Sequence, residues 1–174
     1  TRLLTVTGVQ TCALPICHSR VVAHRDGDGW VECSCGGKHW GLNGAAGLLL
    51  VRDKKVLMQH RAPWVHNGDT WGIPGGARDS HETTEEAALR EAHEEIGIEK
   101  HLAVPVETFS DDHKIWKYET VIAIAHPDLV AHEQNDESLE VQWVAFDEVA
   151  KKNLHPSFAN TWPQLLAVLK MRFV

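Results

Sequence analysis

GGARDSHETTEEAALREAHEEIGI, residues 75–98, is the stretch on which the fold turns. Its second half predicts a helix over Thr83 to Ile96. Thr83 and Glu86 have the spacing of a capping box, in which hydroxyl and carboxylate each satisfy an otherwise orphaned N–H. Gly97 stands where a left-handed C-terminal cap belongs. Ala88, Leu89, Ala92 and Ile96 form an apolar stripe suited to packing on a sheet. Glu91, Glu94 and Glu95 lie at i, i+3 and i+4, so their carboxylates emerge on one face that borders the stripe. Like charges so placed repel by a few tenths of a kcal/mol per pair, and a cation is expected to offset them. Clustered hard oxygen ligands suit Mg²⁺ or Mn²⁺. The competing reading is a solvated face tied by ion pairs, since Arg90 lies four residues from both Glu86 and Glu94.

The residues ahead of the helix separate these readings. Gly76, five residues, Glu82, seven residues, then Arg90-Glu91-Ala92-His93-Glu94-Glu95-Ile96-Gly97-Ile98 resembles the Nudix box at each defined position. A chance match in a chain of this length is on the order of one in ten million. Trp71 to Gly76 is similar to the lead-in of MutT-like members, and the resemblance covers about residues 42 to 170. It implies the Nudix fold, a mixed β-sheet sandwiched between helices in α/β/α fashion. It also implies a Mg²⁺-dependent hydrolase that cleaves a phosphoanhydride bond of a nucleoside diphosphate linked to a further group X. By position, Glu94 and Glu95 would be metal ligands, and Glu91 a third ligand or the base that activates water. The carbonyl of Gly75 would complete the shell, Glu82 would support it, and Arg90 would orient the carboxylates. Neutralising a diphosphate while water attacks phosphorus in line is what phosphoryl transfer requires.

The substrate expected on this resemblance is a nucleoside triphosphate, with an oxidised purine as one form. ADP-ribose or another nucleotide-sugar is the alternative within the class. A non-catalytic nucleotide-binding regulator is the alternative outside it, disfavoured because a binder need not keep three repelling carboxylates. One departure stands out: where MutT-like enzymes can carry a lysine after the two glycines, this chain has Ala77, and Arg78 follows as a candidate phosphate contact. Arg61, in a loop, is a second, because guanidinium binds phosphate bidentately. The acidic run Glu133 to Glu140 offers Glu137 and Glu140 as further carboxylates. Asn160 is a candidate base reader, since an amide donates and accepts at once; a helix-entry asparagine also serves as a cap.

Outward from the box, Ala45 to Val51 and Val56 to Met58 read as a hairpin about a charged turn. Arg61 to Asp69 reads as a loop. Leu102 to Phe109, Tyr118 to Ala125 and Leu139 to Ala145 read as strands, with Val121 to Ala125 apolar enough for burial on both faces. A last helix is expected from near Thr161, with Pro163 in its first turn. Trp71, Trp143 and Trp162 are expected in the core or a pocket wall.

With 174 residues, 43 % hydrophobic and 24 % charged, the chain has the composition of one globular domain. Its formal charge of -7 disfavours duplex nucleic acid and anionic membranes as partners but not a small nucleotide. No apolar run is long enough to span a bilayer. Residues 1–16 (TRLLTVTGVQTCALPI) are similar to translated sequencing adapter and are set aside as a non-native scar; without them no export signal remains, and a cytoplasmic location is expected. Residues 17–41 are read as an extension and 42–174 as the hydrolase domain. In the extension, Cys17, Cys33, Cys35 and His39 carry two readings: reduced thiols, or ligands of a small Zn²⁺ site.

Overall fold

The computed structural model describes residues 25–174, so the stretch 1–16 and Cys17 lie outside the described residues. Strands β1 (Trp30–Glu32) and β2 (Lys38–Trp40) form a small antiparallel hairpin in the extension. The main sheet contains β3 (Ala45–Arg52), β4 (Lys55–Arg61), β5 (Trp71–Gly72), β6 (Gly75–Ala77), β7 (Ala103–Asp112), β8 (Lys117–Ala125) and β9 (Ser138–Ala145). Its order is β5-β4-β3-β8-β7, with β6 pairing β3 and β9 pairing β4. The β3–β8 pairing is parallel and the others are antiparallel, so the sheet is mixed as expected. The β3–β4 turn places both Asp53 (φ 51) and Lys54 (φ 58) at positive φ, the twist-matched geometry of a two-residue hairpin loop.

Helices α1 (Thr84–Ile96) and α2 (Pro156–Phe173) cover opposite faces of the sheet. Alternation along β3 makes this possible, because successive side chains point to opposite sides. Leu48 and Leu50 pack with Ala87, Ala88, Ala92 and Ile96 of α1, while Leu49 and Val51 pack with Leu165 and Leu169 of α2. All four β3 side chains are buried, each contributing about 1.5–3 kcal/mol relative to exposure. Ala87 belongs to this core too, and does not stand open beside the glutamates.

The caps of α1 are as read. Thr83 Oγ1 accepts from Glu86 N at 3.2 Å, and Glu86 Oε2 accepts from Thr83 N at 2.9 Å. Gly97 takes φ 71, a left-handed conformation that costs a side-chain-bearing residue more, and donates to His93 O. Two expectations need correction. Helix α2 begins at Pro156, five residues earlier than Thr161, because Pro156 supplies the preorganised φ of a first helical position. Pro163 therefore lies inside the helix, and Asn160 sits within it rather than at its entry. In β8, Val121, Ile122, Ala123 and Ala125 are buried but Ile124 is 44 % exposed, next to its partner Val104 on β7, which is also exposed. Among the described residues, no helix is long and apolar enough to cross a membrane.

Candidate active site

One end of α1 packs against the β6 loop, and here the box residues converge. Gly76 runs so close to the helix that a Cβ on it would meet the Glu91 carboxylate at 2.7 Å. A Cβ on Gly75 would strike Ala46 O, Gly47 and the Tyr118 hydroxyl. Two adjacent glycines are therefore what lets this backbone lie between helix and sheet.

The guanidinium of Arg90 ties the carboxylates together. Its Nε and Nη2 donate to Glu82 at 2.6 and 2.9 Å, its Nη1 to Glu91 Oε1 at 2.6 Å, and its Nη2 also to Ala77 O at 3.0 Å. Glu94 Oε2 is more distant from Nη1, at 3.5 Å. The hydrogen bond from Arg90 holds the Glu82 carboxyl below its ordinary range, and Arg90 is itself driven further up, first by that bond.

Glu95 has a different environment. It is 5 % exposed, and its Oε2 accepts from Gln59 Nε2 at 2.9 Å and from Gly75 N at 3.2 Å. Oε1 has no hydrogen-bond partner among the described residues. Burial pushes the Glu95 carboxyl up to about 8, and the charge of Glu91 adds to the shift. Burial also raises Glu91, opposed by Arg90. Glu94 is the open member of the set, 42 % exposed at its side chain, and pairs with Arg25 Nη2 at 2.5 Å.

A buried carboxylate with a free oxygen, beside two more carboxylates on one helical face, is the donor set of a hard divalent cation. Removing charge from water at Glu95 and Glu91 is costly unless something positive neutralises it. The residues present fit Mg²⁺ or Mn²⁺ on that ground.

The remaining candidates divide. Arg61 belongs with the site: its charge acts on Glu95, Tyr118 and His155. Its Nε is buried without a partner, and its Nη2 donates to His66 O at 3.2 Å. Arg78 has other partners. Its Nε and Nη2 donate to Asn43 O at 3.2 and 2.8 Å and its Nη1 to Glu82 O at 3.4 Å, so all three nitrogens are committed to backbone carbonyls. In this arrangement Arg78 braces the box loop. Glu137 acts electrostatically on Glu95, whereas Glu140 is an exposed β9 residue opposite His60 in the β4–β9 register. Asn160 is exposed on α2, and its side chain makes no hydrogen bond among the described residues. Trp71 has His60 stacked at 4.9 Å and Lys152 Nζ 3.5 Å from its ring centroid, while Trp162 is buried in the core under α2.

Several residues were not legible in the sequence. Gln59 has its amide oriented by Ser138 Oγ, which donates to Gln59 Oε1 at 3.0 Å and so turns the NH₂ toward Glu95. Tyr118 is half-buried, its hydroxyl crowding Gly75, and desolvation holds that hydroxyl well above the ordinary phenol range. His155 is pushed down to about 4 by burial and by Arg61, so it is neutral beside that cation. Tyr118 opened an expected strand and Gln59 lay one residue beyond another, but nothing local marked them as neighbours of the glutamate helix.

Comparison with known proteins agrees with this geometry. The family model described as NUDIX domain matches residues 41–165, and the chain belongs to the Nudix hydrolases, enzymes that generally need a divalent metal. A Mycobacterium tuberculosis protein provisionally named 8-oxo-dGTP diphosphatase 3 is 48 % identical over 151 residues, covering 80 % of this chain and 69 % of that protein. A Bifidobacterium longum nucleoside triphosphate pyrophosphatase/Nudix hydrolase fusion protein is 43 % identical over 155 residues, 84 % of this chain. The chain spans only 32 % of that fusion protein's length. Among solved structures, the M. smegmatis Nudix hydrolase RenU is 44 % identical with a TM-score of 0.77, covering 85 % of this chain and 98 % of that one.

Proposed function

We propose that this chain is a Mg²⁺-dependent pyrophosphohydrolase of nucleoside triphosphates, with an oxidised purine nucleotide such as 8-oxo-dGTP as its preferred substrate. The observation that carries the hydrolytic part is Glu95, buried with a free oxygen beside Glu91 and Glu94. The substrate class is supported by the M. tuberculosis and B. longum relatives and by a Proteus vulgaris 8-oxo-dGTP diphosphatase, 37 % identical over 71 residues.

In this reading Glu91, Glu94, Glu95 and the carbonyl of Gly75 hold Mg²⁺, with Mn²⁺ able to replace it. When bound, the ion neutralises phosphate charge and acidifies a water. Gln59 and Gly75 N fix the Glu95 carboxylate, and Arg90 fixes Glu91 against Glu82. Such preorganisation lowers the reorganisation needed at the transition state. Arg61 has an unpartnered buried N–H to offer a phosphate oxygen, and neutral His155 leaves its charge undiluted. Glu137 receives a proton from the attacking water, a role supported by its charge acting on Glu95. Asn160 reads the base with its free amide. The setting proposed is the cytoplasm, in keeping with the free thiols of Cys33 and Cys35.

The test is a panel of nucleoside triphosphates, their oxidised forms and nucleotide-sugars with Mg²⁺, products resolved by chromatography. The expected outcome is nucleoside monophosphate and pyrophosphate, with the highest kcat/KM on an oxidised purine triphosphate. Preference for ADP-ribose would overturn the substrate assignment, and inactivity on the whole panel would overturn the reaction.

A further inference from the structure

The β1–β2 hairpin and the β7–β8 turn together bring four soft or borderline ligands to one point. Cys33 follows directly on β1 and Cys35 lies in the hairpin turn, where Cys33 N bonds Gly37 O at 2.9 Å and Gly36 N bonds Cys33 O at 3.0 Å. His39 is in β2, and its Nε2 lies 3.2 Å from Cys35 Sγ. The fourth group comes from a different part of the fold: His113, in the β7–β8 turn, whose carbonyl lies 3.6 Å from Cys33 Sγ, 80 residues away in the chain. One ligand atom from each of the four residues lies within 4.8 Å of all the others.

The surroundings are those of a metal knuckle. Cys35 N–H points at Cys33 Sγ at 3.5 Å, the kind of backbone contact that stabilises a thiolate. His39 is stacked flat on Trp116, centroids 4.2 Å and planes 10° apart, and Trp116 is itself held by an Nε1 bond to Gly41 O at 2.9 Å. Asp111 Oδ2 sits 3.3 Å from His113 Nε2, a carboxylate that favours the proton on that nitrogen and leaves the lone pair on the other. Cys33 and Cys35 are both free thiols, not a disulfide.

We propose that Cys33, Cys35, His39 and His113 form a structural Zn²⁺ site that clamps the β1–β2 hairpin onto the β7–β8 turn. Two sulfurs and two imidazole nitrogens are the donor set of tetrahedral zinc. With Zn–S of about 2.3 Å and Zn–N of about 2.0 Å, the ligand atoms of such a site lie roughly 3.3–3.8 Å apart, a contraction that side-chain rotation supplies. On binding, each thiol releases a proton, and two thiolates with two neutral imidazoles bring the site to zero net charge. All four positions are filled by protein, so the ion has no open place for substrate and its role is to hold structure. The site is chemically distinct from the carboxylate cluster on α1, whose hard oxygens favour Mg²⁺. Cys17, which the sequence offered as a ligand, lies outside the described residues; His113 takes that place in the assignment.

The full chain, its affinity tag removed, is purified without chelator and its metal measured by mass spectrometry. About one equivalent of zinc per chain is expected. Exchange with Co²⁺ should produce sulfur-to-cobalt charge-transfer absorption and the intense visible bands of a tetrahedral ion. Cys35→Ser and His113→Ala should each weaken zinc binding at least roughly tenfold in a metal-buffered titration. Cys17→Ser should bind as the unaltered chain does. Absence of zinc together with absence of cobalt–thiolate bands would overturn the site, as would a Cys33–Cys35 disulfide. Full affinity in His113→Ala, or its loss in Cys17→Ser, would overturn the fourth ligand. The cobalt spectrum of the unaltered chain decides the matter even where a variant does not fold, and none of these readouts depends on hydrolysis.

Discussion

Gln59 on β4 donates its side-chain amide to Oε2 of Glu95 on α1 at 2.9 Å, across the interface between sheet and helix. Ser138 fixes the other end of that amide, so one chain of hydrogen bonds runs from the start of β9 through the sheet to the buried carboxylate. The carboxylate of Glu95 is thus aimed by residues outside the box.

Replacing Gln59 with leucine should therefore reduce turnover without touching any proposed metal ligand. A lost hydrogen bond to a buried charged group costs about 1.5–3 kcal/mol, which corresponds to roughly a tenfold to hundredfold drop in kcat/KM. Steady-state kinetics at saturating Mg²⁺ measure this. Unchanged kinetics would show that Glu95 does not need its partner.

Glu94→Gln and Glu95→Gln should each lower turnover by orders of magnitude, yet differ in stability. Glu94 is 42 % exposed, so its neutral isostere should leave the metal-free midpoint close to the parent. Glu95 is buried, and removing its ionisation should raise the metal-free midpoint near neutral pH. Near-parental hydrolysis by both variants would remove the metal assignment.

The pH dependence of metal-free stability follows from the same group. The folded-state value of Glu95 is raised from its ordinary 4.5 to about 8. The native state then holds a proton that the unfolded chain has released, so stability falls as pH rises through that window. A bound divalent cation favours the carboxylate and should flatten the slope. Thermal midpoints across the window, with and without Mg²⁺, should show the largest Mg²⁺ effect at the alkaline end. A rising midpoint in the metal-free protein would contradict the burial argument.

Asn160→Ala tests base reading. Leaving a base edge that the bound complex buries without its partner costs about 1–3 kcal/mol, so kcat/KM on the preferred nucleotide should fall roughly tenfold to a hundredfold. The poorest substrates should barely change, because the carboxylate cluster is intact. A uniform decrease across substrates would reject Asn160 as the specificity residue.

The helix α1, its two caps, the i, i+3, i+4 glutamates and the hairpin β3–β4 were legible in the sequence because each depends on residues a few positions apart. Capping, the left-handed Gly97 and strand alternation are local physics, and the spacing of the box carries its own specificity. The start of α2 was misread because Pro156 and Pro163 are equal local candidates for a first turn, and only packing of Phe158 and Trp162 in the core under α2 selects the earlier one. What decided the site was tertiary. Arg78 and Arg61 look alike in sequence, but backbone carbonyls of Asn43 and Glu82 claim one, while the other is left with a buried, unpartnered N–H. Gln59 and His113 reach Glu95 and Cys33 only once distant strands have paired. Their partners lie far along the chain, and pairing at that distance is set by the sheet's register, which no short-range pattern encodes.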